Sequence, residues 1–395
     1  MNTILSSLLL SLVLVAALPG LYLGLLAVVG LLPRRSPPES CLKRKIAVLV
    51  PAHNEASGIA GTVRSILRAD YPIDRFRIVV IADNCTDPTA RVAKRSGARV
   101  LVRTNPDARG KGQALDWALR HHADEFRGFD LVAIVDADTC VDPGFLPALN
   151  REFARPGVRA VQGFYGVSNP SGSWRTRLSA AALSLAHHLR PLGRNRLGGT
   201  AGLKGNGMAF SSSLLLHTGW PAHSVVEDHE MALSLLLDGV RVRYCPHARV
   251  FGEMPVSGAQ AASQRLRWEG GRAAVHRRFL AKLLAPSGKG SLPARIDAVV
   301  DLLTPPLSQY AMGMLLGGLL LLPLGEFYSL PLLLAFSASC FALFLALRQT
   351  GADWKTVAAL FMSPIFLLWK LTLRLKAGTP SPSTWVRTPR LSELQ

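Results

Sequence analysis

The sequence predicts an α/β domain built on a parallel sheet, flanked by apolar helices long enough to cross a membrane. Short apolar runs typical of buried strands alternate with helical patterns between residues 46 and 138, an order that gives parallel strands with right-handed crossovers. Carboxylates follow three of these runs. Hydrophobic residues make up 49% of the 395-residue chain and charged residues only 18%, which indicates membrane segments beside the domain.

The charge balance is strongly basic, with a formal net charge of +19. Such a charge suits anionic lipid headgroups, a phosphorylated substrate or nucleic acid. We expect no nucleic-acid partner, because the chain has neither an RNP-like run nor a helix-turn-helix signature. The five cysteines are scattered and form no CxxC pair, so the pattern indicates reduced cytosolic thiols rather than a zinc site or a disulfide framework.

Residues 1–33 carry no charged side chain and are long enough to form a transmembrane helix. The alternative is a cleaved signal peptide, which would begin with basic residues and have a shorter apolar core. A basic cluster follows between residues 34 and 45. By the positive-inside rule this cluster stays inside and the N-terminus outside, so the domain at residues 46–284 is expected to be cytoplasmic.

Carboxylates follow the predicted strands at the points where the strands end. The apolar run 131–135 leads into Asp136 and Asp138, whose side chains point the same way in an extended backbone. Glu55 and Asp83 follow two earlier runs. The carboxyl ends of parallel strands meet at one edge, where ligands of open α/β sheets bind. Carboxylates there suit Mg²⁺ or Mn²⁺ shared with a diphosphate, whereas local turn formation is the alternative.

The segment Arg109-Gly110-Lys111-Gly112 is not a phosphate-binding P-loop. Asn105 occupies the position of the first glycine, and Gly112 that of the serine or threonine. Lys111 at the start of a predicted helix is a candidate to face a phosphate, and a solvated surface lysine is the alternative.

A glycine-rich passage contains Gly205, Asn206 and Gly207. Glycines there permit the backbone to approach a ligand closely, and a mobile loop is the alternative.

Glu227 and Asp228 lie in the first turn of a helix predicted over residues 224–239. Ser224 and Glu227 fit a capping box, and Gly239 fits the C-terminal stop. Acidic residues favour helix N-termini for structural reasons, so stabilisation of the helix is the alternative to a chemical role.

Gln264, Arg267 and Trp268 share one face of another predicted helix. An amide, a guanidinium and an aromatic ring side by side suit diphosphate binding and sugar stacking. The alternative is a basic helix on the membrane surface, which the later turns of this stretch favour.

The C-terminal part, residues 298–376, is again apolar. Residues 302–324 and 330–347 are each long enough to span a bilayer. Residues 357–373 contain Pro364 and Lys370, so we predict three spans plus an interfacial or re-entrant segment, with four spans as the alternative. Residues 377–395 are predicted to form a tail.

Together these motifs resemble those of membrane-bound family 2 glycosyltransferases. The family has a GT-A fold, a Rossmann-like nucleotide-diphospho-sugar transferase domain. The matching motifs occur in the family's order at residues 50–55, 83–87, 136–138, 205–207, 227–228 and 264–268. The Gln-x-x-Arg-Trp signature resembles that of cellulose, chitin and hyaluronan synthases and of ceramide glucosyltransferase. The single span before the domain and the few after it depart from the cellulose synthase pattern, and they count against a long polymer-secreting channel.

The resemblance implies inverting transfer of a sugar from a UDP-sugar, with glucose or N-acetylglucosamine as the sugar. The acceptor would be a glycan or a lipid at the cytoplasmic face of the inner cell membrane. Glu55 and Asp83 would hold the nucleoside, Asp136 would handle the diphosphate, and Asp138 would bind Mg²⁺ or Mn²⁺. Asp228 would deprotonate the acceptor hydroxyl.

The resemblance also assigns the later motifs. Arg267 would neutralise the departing diphosphate, and Trp268 would line an acceptor site floored by residues 205–207. Lys111, Glu227 and Gln264 are further candidates for substrate binding.

Three function classes remain distinct at this stage. Within the enzyme class, polysaccharide assembly is narrowly favoured over a single addition to a lipid. A non-catalytic nucleotide-binding membrane subunit is the second class, and Asp228 speaks against it because binding alone requires no base. A transporter is disfavoured, because the spans hold almost no ionisable residue beyond Lys370.

Overall fold

The computed structural model describes residues 3–33, 42–256 and 258–377, leaving aside the side chains of residues 258–269, 370–371 and 373–377. One sheet lies at the centre of the domain, with the strand order β3-β2-β1-β4-β7-β6-β8-β5. Its strands are β1 (Ile46–Ala52), β2 (Phe76–Asp83), β3 (Arg99–Arg103), β4 (Leu131–Ile134), β5 (Thr139–Val141), β6 (Ala160–Val167), β7 (Met208–Ser211) and β8 (Val242–Gly252).

Helices surround this sheet and extend beyond it. They are α1 (Thr3–Leu31), α2 (Ile59–Leu67), α3 (Thr89–Arg95), α4 (Lys111–His121), α5 (Ala123–Arg127), α6 (Phe145–Glu152), α7 (Trp174–Leu183), α8 (Arg190–Arg196), α9 (Ser212–Thr218), α10 (Glu227–Leu237), α11 (Gly258–Leu284), α12 (Leu292–Leu303), α13 (Leu307–Leu320), α14 (Glu326–Thr350), α15 (Trp354–Ala359) and α16 (Ser363–Ala377). A π-helical segment, Ser184–Leu189, joins α7 to α8.

The first half of the sheet is parallel, as the sequence predicts. Strand β1 pairs in parallel with β2 and β4, and β2 with β3. Ile46, Val48 and Val50 of β1 belong to one buried core, and Ala47 and Leu49 belong to the other. This alternation follows from the two-residue period of a strand, and burial on both faces explains why the run is continuously apolar.

The second half of the sheet is mixed, which differs from the parallel sheet that the sequence predicts. Strand β7 is antiparallel to both β4 and β6, β8 is parallel to β6, and β5 is antiparallel to β8. Antiparallel pairing requires no helical crossover between consecutive strands, so the βα alternation that identifies the first half does not reach these strands.

Two helices in the described part of the chain, α1 and α14, are long and apolar enough to cross a bilayer. Val13 lies in one apolar cluster with Leu332, and Leu23 lies in another with Ala342, so the two helices run in the same direction. They approach closely at Gly20, where a Cβ atom would meet the backbone of α14. Small residues at such contacts are typical of helix pairs in membranes.

The predicted span at residues 302–324 differs in its boundaries. Helix α12 ends at Leu303, and α13 begins at Leu307 and covers 14 residues. Pro305 and Pro306 separate the two helices, because a residue before proline is pushed out of the helical region. Helices α15 and α16 are also shorter than α1 and α14, so the number of spans stays a prediction.

Candidate active site

The three strand-end carboxylate motifs meet at one edge of the sheet. Strand β1 lies between β2 and β4, so Glu55 lies between Asp83 and the loop of Asp136 and Asp138. A Cβ atom added to Gly58 would lie 3.8 Å from a Glu55 carboxylate oxygen and 3.6 Å from the Ala137 carbonyl oxygen. Glu55 is only 6% exposed, which places its carboxylate beside the aspartate loop.

A tight turn after β1 fixes the position of Glu55. Asn54 adopts a left-handed conformation with φ 55°, which asparagine tolerates better than most residues. Its side-chain oxygen accepts a hydrogen bond of 2.8 Å from the Thr86 backbone N–H. The Glu55 backbone N–H donates to the Thr89 hydroxyl at 2.8 Å. The turn is therefore attached to the loop that follows β2.

Asp83 forms a buried ion pair that the sequence pattern does not reveal. Its carboxylate lies 2.5 Å from the Arg103 guanidinium, and the two residues are 5% and 4% exposed. Arg103 also donates to the Ala108 carbonyl at 2.7 Å, and Asn84 donates to Asp83 at 2.9 Å. Asp83 thus holds the loop before α4 in place, and its predicted contact with a nucleoside stays a prediction.

Lys111 faces a carboxylate and is not a solvated surface lysine. Its ammonium group donates to Asp136 and to the Gly205 carbonyl oxygen, and its side chain is 19% exposed. Gly112, the next residue, packs against the Ala222 carbonyl, so a Cβ atom at this position would lie only 2.3 Å from that oxygen. The start of α4 is thereby fixed between the aspartate loop and the segment before α10.

Asn206 forms hydrogen bonds that hold the loop of Asp136 and Asp138 in place. Its side-chain oxygen accepts from the Asp136 backbone N–H at 3.2 Å, and its amide donates to the Thr139 hydroxyl at 2.7 Å. Asn206 is 0% exposed, so it acts on the site through this loop. The glycine-rich passage therefore contributes a buried side chain that holds the aspartate loop, and a backbone carbonyl at Gly205 that accepts from Lys111.

The capping box predicted from Ser224 and Glu227 is wrong. Helix α10 begins at Glu227 after Val226, which makes no side-chain cap. The Ser224 backbone N–H instead donates to Glu230 at 3.3 Å. Glu230 lies one turn further on, where it also pairs with Arg278 at 2.5 Å. Glu227 and Asp228 are left to face the site.

Glu227 and Asp228 are neighbours in the chain, and both are half-buried. Burial raises the pKa of Glu227 to about 7, with the Asp228 charge as the second cause. Burial also raises the pKa of Asp228, while Lys111 lowers it. Such a pair loses its protons as a unit. A carboxylate with a raised pKa is suited to accept a proton near neutral pH.

Asp228 lies close to the Lys111–Asp136 ion pair. A Cβ atom added to Gly205 would lie 3.4 Å from an Asp228 carboxylate oxygen and 4.0 Å from the Lys111 ammonium nitrogen. Burial alone would lower the pKa of Lys111, but Asp136, Glu227 and Asp228 together raise it. Lys111 therefore remains charged, paired with Asp136 and close to Asp228.

The carboxylates fit a divalent cation that is shared with a substrate. The described residues contain no group of three or more histidine, cysteine, aspartate or glutamate side chains that would hold a metal by itself. Mg²⁺ commonly takes one or two protein carboxylates and completes its shell with phosphates and water. Asp138 supplies a half-buried carboxylate at the loop, beside Asp136, which already pairs with Lys111.

Gln264, Arg267 and Trp268 lie in α11, and their side chains are outside the described ones. A Cβ atom added to Gly271, just after them, would lie 2.6 Å from a methyl group of Val225. Helix α11 thus passes directly beside the start of α10, and the roles expected of the three residues stay predictions.

Comparisons with known proteins agree on the fold and the family. The model of "Glycosyltransferase like family 2" matches residues 43–271. A mannosyltransferase from Pyrobaculum calidifontis, solved with GDP-Man and Mn²⁺, superposes with a TM-score of 0.55 at 20% identity, covering 93% of this chain and 96% of that one. This likeness shows a GT-A fold.

Curated relatives are similar over the same domain. The probable glycosyltransferase YdaM of Bacillus subtilis is 28% identical over 60% of this chain and 57% of its own length. A beta-monoglucosyldiacylglycerol synthase from a Nostoc species is 29% identical over 57% of this chain and 48% of its own. The chain thus spans about half the length of these relatives. From the match over residues 43–271 and the fold that contains it, the chain belongs to glycosyltransferase family 2.

Proposed function

We propose that this chain is a metal-dependent, inverting glycosyltransferase that moves a sugar from a UDP-sugar to a hydroxyl group of a glycan or lipid. The observation that carries the proposal is the position of Asp228. This carboxyl group has a raised pKa and lies beside Gly205 and the Lys111–Asp136 pair, at the sheet edge where ligands of α/β folds bind.

In the proposed reaction Asp228 accepts the proton of the acceptor hydroxyl. The acceptor oxygen forms a bond to the anomeric carbon from the side opposite the diphosphate, whose bond to that carbon breaks. A single displacement of this kind inverts the anomeric centre. General-base assistance contributes typically about 10²–10⁴-fold to the rate.

The leaving diphosphate requires positive charge. A divalent cation bound at Asp138 would supply charge that stabilises the departing phosphate oxygens. Arg267 is proposed to act on the same group. Lys111 orients Asp136 through their ion pair, and Glu55 and Asp83 are proposed to contact the nucleoside.

We also propose that the site faces the cytoplasm and the chain is anchored in the inner cell membrane. The support is the apolar exposed surface of α1 and α14 and the basic cluster that follows residue 33. Helix α13 runs opposite to α1, since Tyr310 near its start contacts Gly20, whereas Met314 further along packs against the cluster that contains Val13. Opposite directions of α1 and α13 are what two consecutive passages of the chain through a membrane would require.

The acceptor class remains a choice between a lipid and a growing glycan. The name of the Nostoc relative describes synthesis of a glucosylated diacylglycerol, which supports a lipid acceptor. The Gln-x-x-Arg-Trp signature supports the polymer that the sequence narrowly favours. Product sizing separates them: a lipid carrying one sugar rejects polymer synthesis, and a ladder of products rejects single addition.

The test is a turnover screen of the purified full-length protein. UDP-glucose and UDP-N-acetylglucosamine are supplied with Mg²⁺, Mn²⁺ or a chelator, and the anomeric configuration of the product is read by NMR. We expect metal-stimulated transfer with inversion. The variant Asp138→Asn should lose metal-stimulated donor binding, because a carboxylate ligand is removed. Turnover that is unchanged by the chelator contradicts the metal role. Metal-stimulated donor binding that is unchanged in Asp138→Asn contradicts it as well. No turnover of any nucleotide sugar supports the non-catalytic subunit instead.

A further inference from the structure

Lys204 is a cation without an ion-pair partner, next to the proposed catalytic group. It precedes Gly205, whose carbonyl oxygen accepts a hydrogen bond from Lys111 and which lies beside Asp228. Its backbone N–H donates to the Gln162 side chain at 2.8 Å. Its half-buried ammonium group makes neither a hydrogen bond nor an ion pair with any described residue. A half-buried charge without a contacting partner is stabilised when a ligand pairs with it.

The neighbouring arginines differ from Lys204, because each of them is paired directly with an aspartate. Arg194 pairs with Asp297 at 2.9 Å and with Asp301 at 2.7 Å. Arg190 pairs with Asp301 at 2.5 Å. Both arginines therefore have direct partners, whereas Lys204 feels the charges of Asp301 and Asp228 without contacting either carboxylate.

His229 contributes a second polar group without a partner. It follows Asp228 in α10, and its Nε2 atom is buried with no hydrogen-bond partner among the described residues. The His229 and His276 rings lie 5.6 Å apart. Burial, followed by the charge of Lys204, lowers the pKa of His229 to about 3, and burial lowers the pKa of Lys204 to about 8. Burial is the first cause of both shifts, so neither group is held in its charged form by a close acidic partner.

The cluster lies where the domain meets the first apolar helix. The Tyr22 hydroxyl of α1 donates to Asp297 at 2.6 Å, and Asp297 pairs with Arg194 of α8. Gly205, the neighbour of Lys204 in the chain, lies beside Asp228, so a molecule at the membrane surface that presents its hydroxyl to Asp228 would bring its neighbouring atoms towards Lys204.

We propose that Lys204 and His229 form a subsite for a phosphate group of the acceptor, adjoining the hydroxyl that receives the sugar. The proposal rests on the function proposed above and specifies its acceptor class. Phosphate oxygens accept several charge-assisted hydrogen bonds, and a phosphate group would give the Lys204 ammonium the direct partner that it lacks. The phosphate would belong either to a phospholipid headgroup or to a soluble phosphate ester.

The first test measures binding without turnover. The purified full-length protein in a neutral detergent is titrated with inorganic phosphate and with glycerol 3-phosphate while its melting temperature is recorded. We expect stabilisation of the wild type and of the exposed-lysine control Lys94→Met, and none of Lys204→Met. Lys204→Met without ligand should melt no lower than the wild type, because the variant loses a half-buried ammonium group that has no direct partner. A large drop, or equal stabilisation of all three proteins, overturns the proposal.

The second test compares acceptors that differ by a phosphate. Wild-type kcat/KM is measured for phosphatidylglycerol, for diacylglycerol and for glycerol 3-phosphate with the same UDP-sugar. The preference for the phosphorylated acceptor should fall about 10- to 100-fold in Lys204→Met, the loss expected for a charge-assisted hydrogen bond, and should be kept largely in Lys204→Arg. A preference for phosphatidylglycerol identifies a lipid headgroup, and one for glycerol 3-phosphate identifies a soluble ester.

These outcomes separate the two proposals. An unchanged acceptor preference in Lys204→Met overturns the phosphate subsite but leaves glycosyl transfer intact. Absence of any turnover overturns the proposed function, and the binding test still decides the subsite.

Discussion

Two glycines in helices, Gly61 and Gly112, provide a matched test of the contact between α4 and the segment before α10. Gly61 in α2 has no atom within 4 Å of an added Cβ, whereas a Cβ atom on Gly112 in α4 would lie 2.3 Å from the Ala222 carbonyl oxygen and 3.4 Å from Glu227 Cβ. Alanine is favoured over glycine inside a helix by about 1 kcal/mol. Gly61→Ala should therefore stabilise the protein by about 0.5–1 kcal/mol.

Gly112→Ala should have the opposite effect. The obstructing atom belongs to the backbone, so the segment before α10 has to move, and overpacking of this kind costs about 1–3 kcal/mol. Glu227 would move with that segment. We expect a melting temperature lower by roughly 2–8 °C and slower transfer, while Gly61→Ala melts slightly higher and transfers normally.

The assay records the melting temperature and turnover of both variants in one detergent. Equal stabilisation of the two variants, with normal turnover in each, would show that α4 and the start of α10 do not touch as the structure has them. The contact that places Glu227 beside Lys111 would then be wrong.

Three further predictions concern the same site and its location. Lys111→Met should weaken UDP-sugar affinity roughly 10-fold or more, since Asp136 loses a charge-assisted partner; isothermal titration checks this, and unchanged affinity contradicts it. The kcat/KM of the wild type should fall towards acid pH, because burial raises the pKa of Asp228 and protonation of this carboxylate removes the base. Glu227→Gln should move this acidic limb to lower pH, since a like charge is removed; an unmoved midpoint speaks against the pair. Cys140, exposed in β5, should react with an impermeant maleimide only in opened cells, and labelling of intact cells contradicts a cytoplasmic domain.

The sequence predicts the parts of the fold that depend on local patterns. The apolar runs of β1, β2 and β4 are continuous because both faces are buried, and carboxylates mark their ends. Glu55, Asp83 and the Asp136–Asp138 loop therefore meet at one edge, as the alternation of strands and helices implies.

The sequence does not reveal contacts between distant segments. The Asp83–Arg103 and Arg194–Asp297 pairs join residues 20 and 103 positions apart, and no spacing rule connects them. The same limit explains the error at Ser224, whose partner proved to be Glu230. The sequence does not predict the antiparallel strand β7, because it has only four residues. Helices α7 and α8, with the π-helical segment between them, also separate it from β6, the preceding strand in the chain.

The most direct test of the central claim is Asp228→Asn, measured for both stability and turnover. Asp228 makes no cap for α10, which begins after Val226, and asparagine matches its shape, so the melting temperature and UDP-sugar binding should stay close to the wild type. Transfer should fall by about 10²–10⁴-fold, because the amide cannot accept the acceptor's proton. Near-normal transfer by a folded, donor-binding Asp228→Asn variant would contradict the proposed mechanism.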